Sequence, residues 1–382
     1  MRGLPMATGA KPAGVAVLVL APRSLPLAGK IATNLVRYGP VRIYCRHCQP
    51  GNTLPVANQV LSGPITVQDY DSLPHLLDEI WGRFGALVLV MSLGIVMRLV
   101  APRLRSKTID PAVLVVDEAG RFVISAASGH LGGANDLTAL LARALGAQPV
   151  ITTATDGQGL LAPDLLAGRY RMAVHPLTRI KEVNAALLAG QRIVYYSDWP
   201  LPEPGIDQRP LLQYLAGERE GDWQIVVSDA AGVPEPARGL LLIPRRLVLG
   251  VGCRRGVAGE AVCRAVQQAL AGAGRRMEAV KALATVDLRS GEPALEQTAA
   301  WLGVPLLAYD RRQIGEIMRA RPGEFSFSPY VEQKIGVGGV CEPVSLLACQ
   351  QGRLLLAKQK MAGVTVAIAE DALWWSGWGR AE

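Results

Sequence analysis

The sequence predicts a multi-domain α/β protein: N-terminal and C-terminal α/β domains with mainly parallel sheets, and a small middle domain. Three observations predict it. Short apolar runs recur at 15–20, 86–91, 112–116, 148–152 and 247–251, continuous rather than alternating, as strands buried on both faces are. Helical stretches at 27–38, 72–82 and 136–145 fall between them and give a strand-helix rhythm. The chain has 382 residues, too many for one ordinary domain.

Each element follows from local pattern. "AGVAVLVLA" after Lys11 reads as a buried first strand rather than a signal segment, because a helix and "VRIY" continue the rhythm. The first dozen residues read as a leader. "ALVLVMSLGIVM" (86–97) is shorter than the roughly 20 residues that span a bilayer, so no membrane span is expected. "DLTALLARALG" (136–146) places Leu137, Leu140, Leu141, Ala144 and Leu145 on one helical stripe, with Asn135 or Asp136 to cap its start and Gly146 to end it. "TDGQGLLAPDLLAG" (155–168) and the Pro/Gly-rich "DAAGVPEPARG" (229–239) read as boundaries. The expected domains are 13–152, 153–240 and 244–370, followed by a tail at 371–382.

Half the residues are hydrophobic and only 5% aromatic, so the cores are aliphatic. The net charge is +8 and most of the 40 basic residues are Arg, whose guanidinium fork suits carboxylates and phosphates. Basic blocks interleaved with aromatics are missing, which argues against nucleic acid. Six scattered cysteines make no disulfide framework, and a cytoplasmic setting is expected.

Glycine-rich turns carry the candidate chemistry. In "SGHLGGAND" (128–136), Gly129, Gly132 and Gly133 surround His130 just before a helix. Free amides there would bind an anion, and the imidazole would move protons near neutral pH. In "LVLGVGCRRGVAGEAV" (247–262) the third glycine of a dinucleotide fingerprint is replaced by Arg255, and no P-loop lysine follows. What remains is a turn at Gly252 presenting Arg254 and Arg255 to a carboxylate. "IGVGGVCEP" places Gly338 and Gly339 before a helix with Glu342 in its first turn. Arg98 and Lys107 flank a strand end. "CRHC" (45–48) hints at metal or redox chemistry, but no second cluster completes a zinc site.

Taken together, "LGIVMRLVAP", "DPAVLVVDEAGRFVISAASGHLGGAND", "PVITTATD", "IKEVNAALLAGQRI", "GVGCRRG", "ATVDLRSGE" and "IGVGGVCEPVSLLA" resemble the cobalt-precorrin-5A hydrolase family of anaerobic cobalamin biosynthesis. Arg289 stands where the family pattern usually has Lys. The resemblance implies a corrinoid substrate whose ring-A δ-lactone is opened by water, with release of acetaldehyde to give cobalt-precorrin-5B. It implies His130 and Asp136 as proton-transfer groups. Arg98, Arg254 and Arg255 would grip carboxylate arms, alongside Gly129, Gly132, Gly133, Asn135, Gly252, Gly338, Gly339 and Glu342. Cobalt comes with the substrate, so no cofactor and no metal site of the protein's own is expected. Neighbouring cobalamin-pathway enzymes are the expected partners, with no nucleic acid or membrane. A non-catalytic corrinoid-binding protein is the alternative.

Overall fold

The computed structural model describes residues 14–48, 53–54, 65–106, 109–201, 203–349 and 351–372. Lys107, the leader and the tryptophan-rich tail lie outside them. The chain divides into two compact units. Among the described residues, one contains 14–169 together with Asn184–Gly190; the other contains Tyr170–Val183 and 191–372.

The first unit is an eight-stranded sheet in the order β3-β4-β2-β1-β5-β6-β7-β8. Its strands are β1 (Val15–Val19), β2 (Val41–Arg46), β3 (Thr53–Leu54), β4 (Ile65–Tyr70), β5 (Ala86–Val90), β6 (Ala112–Val116), β7 (Phe122–Ala127) and β8 (Gln148–Val150). The helices are α1 (Leu25–Leu35), α2 (Leu73–Ile80), α3 (Leu93–Val100), α4 (Ala134–Leu145), α5 (Ala154–Gly157) and α6 (Pro163–Arg169). Strand β1 explains its own unbroken apolar sequence. Val15, Val17 and Val19 pack with α1 and α4 on one face, while Ala16 and Leu18 pack with α2 and α3 on the other. Both faces are dry, so alternation disappears.

Two parts of this sheet depart from the parallel expectation, the short edge strand β3, which runs antiparallel to β4, and β7. β7 runs antiparallel to β6, and β8 then runs parallel to β7. In β7 the branched pair Val123-Ile124 is flanked by exposed Phe122 and polar Ser125, so no long apolar run forms, which is why periodicity did not mark it. Its reversal brings the carboxyl ends of β7 and β8 to the edge where β1, β5 and β6 begin.

Helix α4 starts earlier than its apolar pattern suggests, with Gly133 in the left-handed region at its N-cap and no side-chain cap. Thr138 and Ala142 are buried in the stripe where Ala144 was expected. Gly146 ends it at φ 67°. Cys45 and Cys48 are joined by a disulfide at the end of β2, not arranged around a metal.

The second unit holds two five-stranded sheets, ordered β11-β10-β12-β13-β9 and β16-β15-β14-β18-β17. The first is built from β9 (Met172–His175), β10 (Ile193–Tyr196), β11 (Gln208–Arg209), β12 (Trp223–Val227) and β13 (Gly239–Pro244). The second is built from β14 (Leu247–Cys253), β15 (Val280–Val286), β16 (Leu306–Tyr309), β17 (Arg353–Met361) and β18 (Val364–Glu370). β14, β15 and β16 are parallel, and β18 and β17 add antiparallel neighbours. Continuous apolar packing runs through both sheets, from Tyr196 and Tyr214 to Leu249 and Ile368. A buried ionic group accompanies it: Arg246 contacts Asp229 at 2.7 Å and Glu370 at 2.7 Å, and Arg275 contacts Asp229 at 2.9 Å. α7 (Ile180–Leu188) gives its second half, from Asn184, to the first unit.

Candidate active site

Parallel pairing of β7 with β8 brings out two loops side by side. The loop after β7 carries His130; the one after β8 carries Thr153 and then Asp156 in α5. Helix α6 supplies Asp164. The three groups meet. His130 Nδ1 lies 3.1 Å from Asp164 Oδ2, and Nε2 lies 2.8 Å from Asp156 Oδ2. The Thr155 hydroxyl is 3.3 Å from Nε2.

Glycines make this closeness possible. A methyl group at Gly168 would sit 2.3 Å from the His130 carbonyl oxygen. Gly168 lies one helical turn beyond Asp164, so the bare backbone that lets α6 approach also delivers the carboxylate. A methyl at Gly129 would sit 2.7 Å from Asn135 Oδ1. Asn135 is buried and donates through Nδ2 to Asp156 Oδ2 and to Thr153 Oγ, while accepting from Ser125 Oγ. Asn184 Nδ2 donates to Asp164 Oδ1.

The electrostatics favour a charged ring. Burial works against charge on His130, but hydrogen bonds and opposite charges from Asp164 and Asp156 outweigh it and hold its pKa above the ordinary value. Burial would raise Asp164, yet its bond to His130, the charge there and Asn184 hold it below the usual carboxylate range. Asp164 is 1% exposed at its side chain and Asp156 is 21% exposed, so only the second reaches solvent appreciably.

Several sequence expectations change here. The amides at the start of α4 do not form an open anion cradle: those of Gly133, Ala134 and Asn135 donate to the carbonyls of His130, Ser128 and Gly129. The loop binds itself, because it must turn tightly with Ser128 at φ 59° and Gly133 at φ 81°. Asp136 is engaged by Arg169 at 2.9 Å instead of His130. Asn135 holds Asp156 in place. Asp156 and Asp164 were missed because both fall in the stretch that glycine and proline content marked as a boundary. A signal was available: two aspartates eight residues apart shortly after a β8-like apolar run.

The remaining candidates lie elsewhere. Arg98 is exposed on α3, which starts from the carboxyl end of β5 at the opposite edge of the sheet. Gly252, Arg254, Arg255, Gly338, Gly339 and Glu342 belong to the second unit. Arg254 and Arg255 are exposed and make no ion pair among the described residues. Gly250 and Gly252 have a packing role. A methyl at Gly250 would fall 1.8 Å from the Cys341 carbonyl oxygen, and one at Gly252 would fall 2.7 Å from Thr365 Oγ1. The loop at Gly338 and Gly339 is covered by the chain itself: a methyl at Gly338 would strike the Phe327 ring, and the Gly338 carbonyl accepts from Ser328 N–H. Glu342 is buried and accepts from Ser326 N–H, Ser326 Oγ and Lys358 N–H. Its carboxylate braces the chain rather than facing a ligand.

Comparisons with known proteins bear on the family. Residues 75–156 match the family described as Cobalamin synthesis G N-terminal, 161–244 its central region, and 247–369 its C-terminus. The cobalt-precorrin-5A hydrolase of Salmonella typhimurium is 37% identical over 292 residues, covering 75% of this chain and 82% of that protein. The protein of the same name from Priestia megaterium is 30% identical over 310 residues, covering 78% and 82%. A crystal structure of a putative cobalamin biosynthesis protein G homolog from Sulfolobus solfataricus shares 21% identity, covers 96% of this chain and 98% of that one, and gives a TM-score of 0.40. The chain belongs to the cobalamin synthesis G family.

Proposed function

We propose that the chain opens the ring-A δ-lactone of cobalt-precorrin-5A and releases acetaldehyde to give cobalt-precorrin-5B, with His130, Asp156 and Asp164 as the seat of the chemistry. It is a hydrolase of cobalamin biosynthesis, as the relatives' names state of those proteins. One observation carries the placement: an imidazole held between a buried carboxylate and a solvent-reaching one. Such a cluster stores and moves protons.

The reaction needs both steps of proton transfer. Water adds to the lactone carbonyl and the ring C–O bond breaks, leaving a carboxylate and a hydroxyl on the two-carbon unit. Loss of that hydroxyl proton lets a C=O bond form as the C–C bond to the macrocycle breaks. The electron pair enters the conjugated macrocycle, which takes up a proton. One water is consumed and oxidation states balance without another reactant. Cobalt travels with the substrate. Exposed Arg254 and Arg255, in the second unit, carry guanidiniums of the kind that binds carboxylates. No helix among the described residues is long and apolar enough to cross a membrane; a cytoplasmic site and hand-over to neighbouring pathway enzymes complete the reading.

The test is an absorbance time course with cobalt-precorrin-5A, coupled to trapping of acetaldehyde by a carbonyl reagent. Spectral change with stoichiometric acetaldehyde is expected. Tight binding without either would leave a corrinoid-binding protein instead.

A further inference from the structure

We infer that Asp156 is the group that meets the substrate and takes its proton, and that His130 is a positioning residue clamped between Asp156 and Asp164. The inference rests on the functional reading above and divides its labour.

Reach decides the matter. His130 is only 9% exposed, and both of its ring nitrogens are already engaged by carboxylates. A ring so occupied has no lone pair to offer a water or a hydroxyl. Asp156 differs in each respect. Its Oδ2 accepts from His130 Nε2 and Asn135 Nδ2. Its Oδ1 takes no hydrogen bond from any described residue, and its side chain reaches solvent. Its chain neighbourhood is open to solvent: Ala154, Gly157, Gln158 and Gly159 are all exposed. One oxygen is therefore fixed by two donors while the other points out as an acceptor.

Layers of support follow in order. Ser125 holds Asn135, and Asn135 with His130 holds Asp156. Asn184 holds Asp164, which orients the ring. Among the described residues, Asp156 and Asp164 are the titratable groups acting on His130. In the first step Asp156 Oδ1 takes a proton from the attacking water as its oxygen bonds to the lactone carbon, and returns it to the departing alkoxide. In the second it takes the hydroxyl proton as the C–C bond breaks, and the macrocycle receives a proton from solvent.

The experiment compares wild type, Asp156→Asn, Asp156→Ala and His130→Gln with cobalt-precorrin-5A, with folding checked by circular dichroism. Asp156→Asn is expected to lose about 100- to 10,000-fold in kcat with KM little changed. Formate should restore part of the activity of Asp156→Ala. Glutamine carries its amide where Nε2 lies, so His130→Gln should keep far more activity than Asp156→Asn. Wild type is expected to lose activity at alkaline pH when the imidazolium loses its proton, and His130→Gln should lack that fall, a change a purely structural residue would not produce. Wild-type turnover by Asp156→Asn, no formate rescue, or a His130→Gln variant as inactive as Asp156→Asn would each overturn the assignment alone. A wild-type chain without turnover would overturn the functional reading and this assignment with it.

Discussion

Replacing Gly168 by alanine tests the geometry most directly. In an ordinary helix interior this change stabilises by about 0.5–1 kcal/mol, because alanine loses less backbone entropy. Here the sign should reverse. The new Cβ would lie 2.3 Å from the His130 carbonyl oxygen, against an ordinary contact of 3.4 Å or more. The difference requires α6 or the loop to yield by about 1 Å, and the obstructing atom is backbone, not a side-chain tip. Asp164 rides on the same helix one turn earlier. Added to the present 3.1 Å separation from Nδ1, such a shift would take the pair beyond hydrogen-bond range. Overpacking of this kind costs about 1–3 kcal/mol, and an active group misplaced by roughly 1 Å loses on the order of 100-fold in rate. Urea unfolding and the acetaldehyde assay read the two effects separately. A Gly168→Ala protein that is more stable than wild type and fully active would refute the argument that α6 must touch the His130 backbone.

Other consequences follow from single features. Asp229→Ala leaves the Arg246 and Arg275 guanidiniums without their shared carboxylate, and unfolding in urea should show a loss of about 3–5 kcal/mol. The raised pKa of His130 stabilises the fold fully below the ordinary value of 6.5, and that contribution is lost as pH rises through the folded value. The lowered pKa of Asp164 acts oppositely, present above the ordinary 3.8 and lost as pH falls through the folded value; melting curves of His130→Gln across pH should therefore lack the alkaline loss. Replacing Arg254 and Arg255 together by alanine should raise KM, at about 1.5–3 kcal/mol for each charged hydrogen bond lost, and an unchanged KM would remove them from substrate binding.

Local pattern was enough for the elements whose surroundings are uniform. β1, β5 and β6 announce themselves because every residue meets a dry face, and Gly146 ends α4 as its position predicts. His130 was legible because a lone imidazole among glycines is unusual. Its partners were not, since Asp156 and Asp164 lie 26 and 34 residues further on, and the pair's own spacing does not say that it closes on His130. Only tertiary structure decides such meetings: the reversal of β7 turns two loops toward one edge, and the bare backbone of Gly168 admits α6. The same cause redirected the glycines. Sequence reports that a residue lacks a side chain, but whether the vacant space faces a ligand or the chain's own backbone depends on what the fold presses against it. At Gly129, Gly168, Gly250 and Gly338 the neighbour is the chain itself.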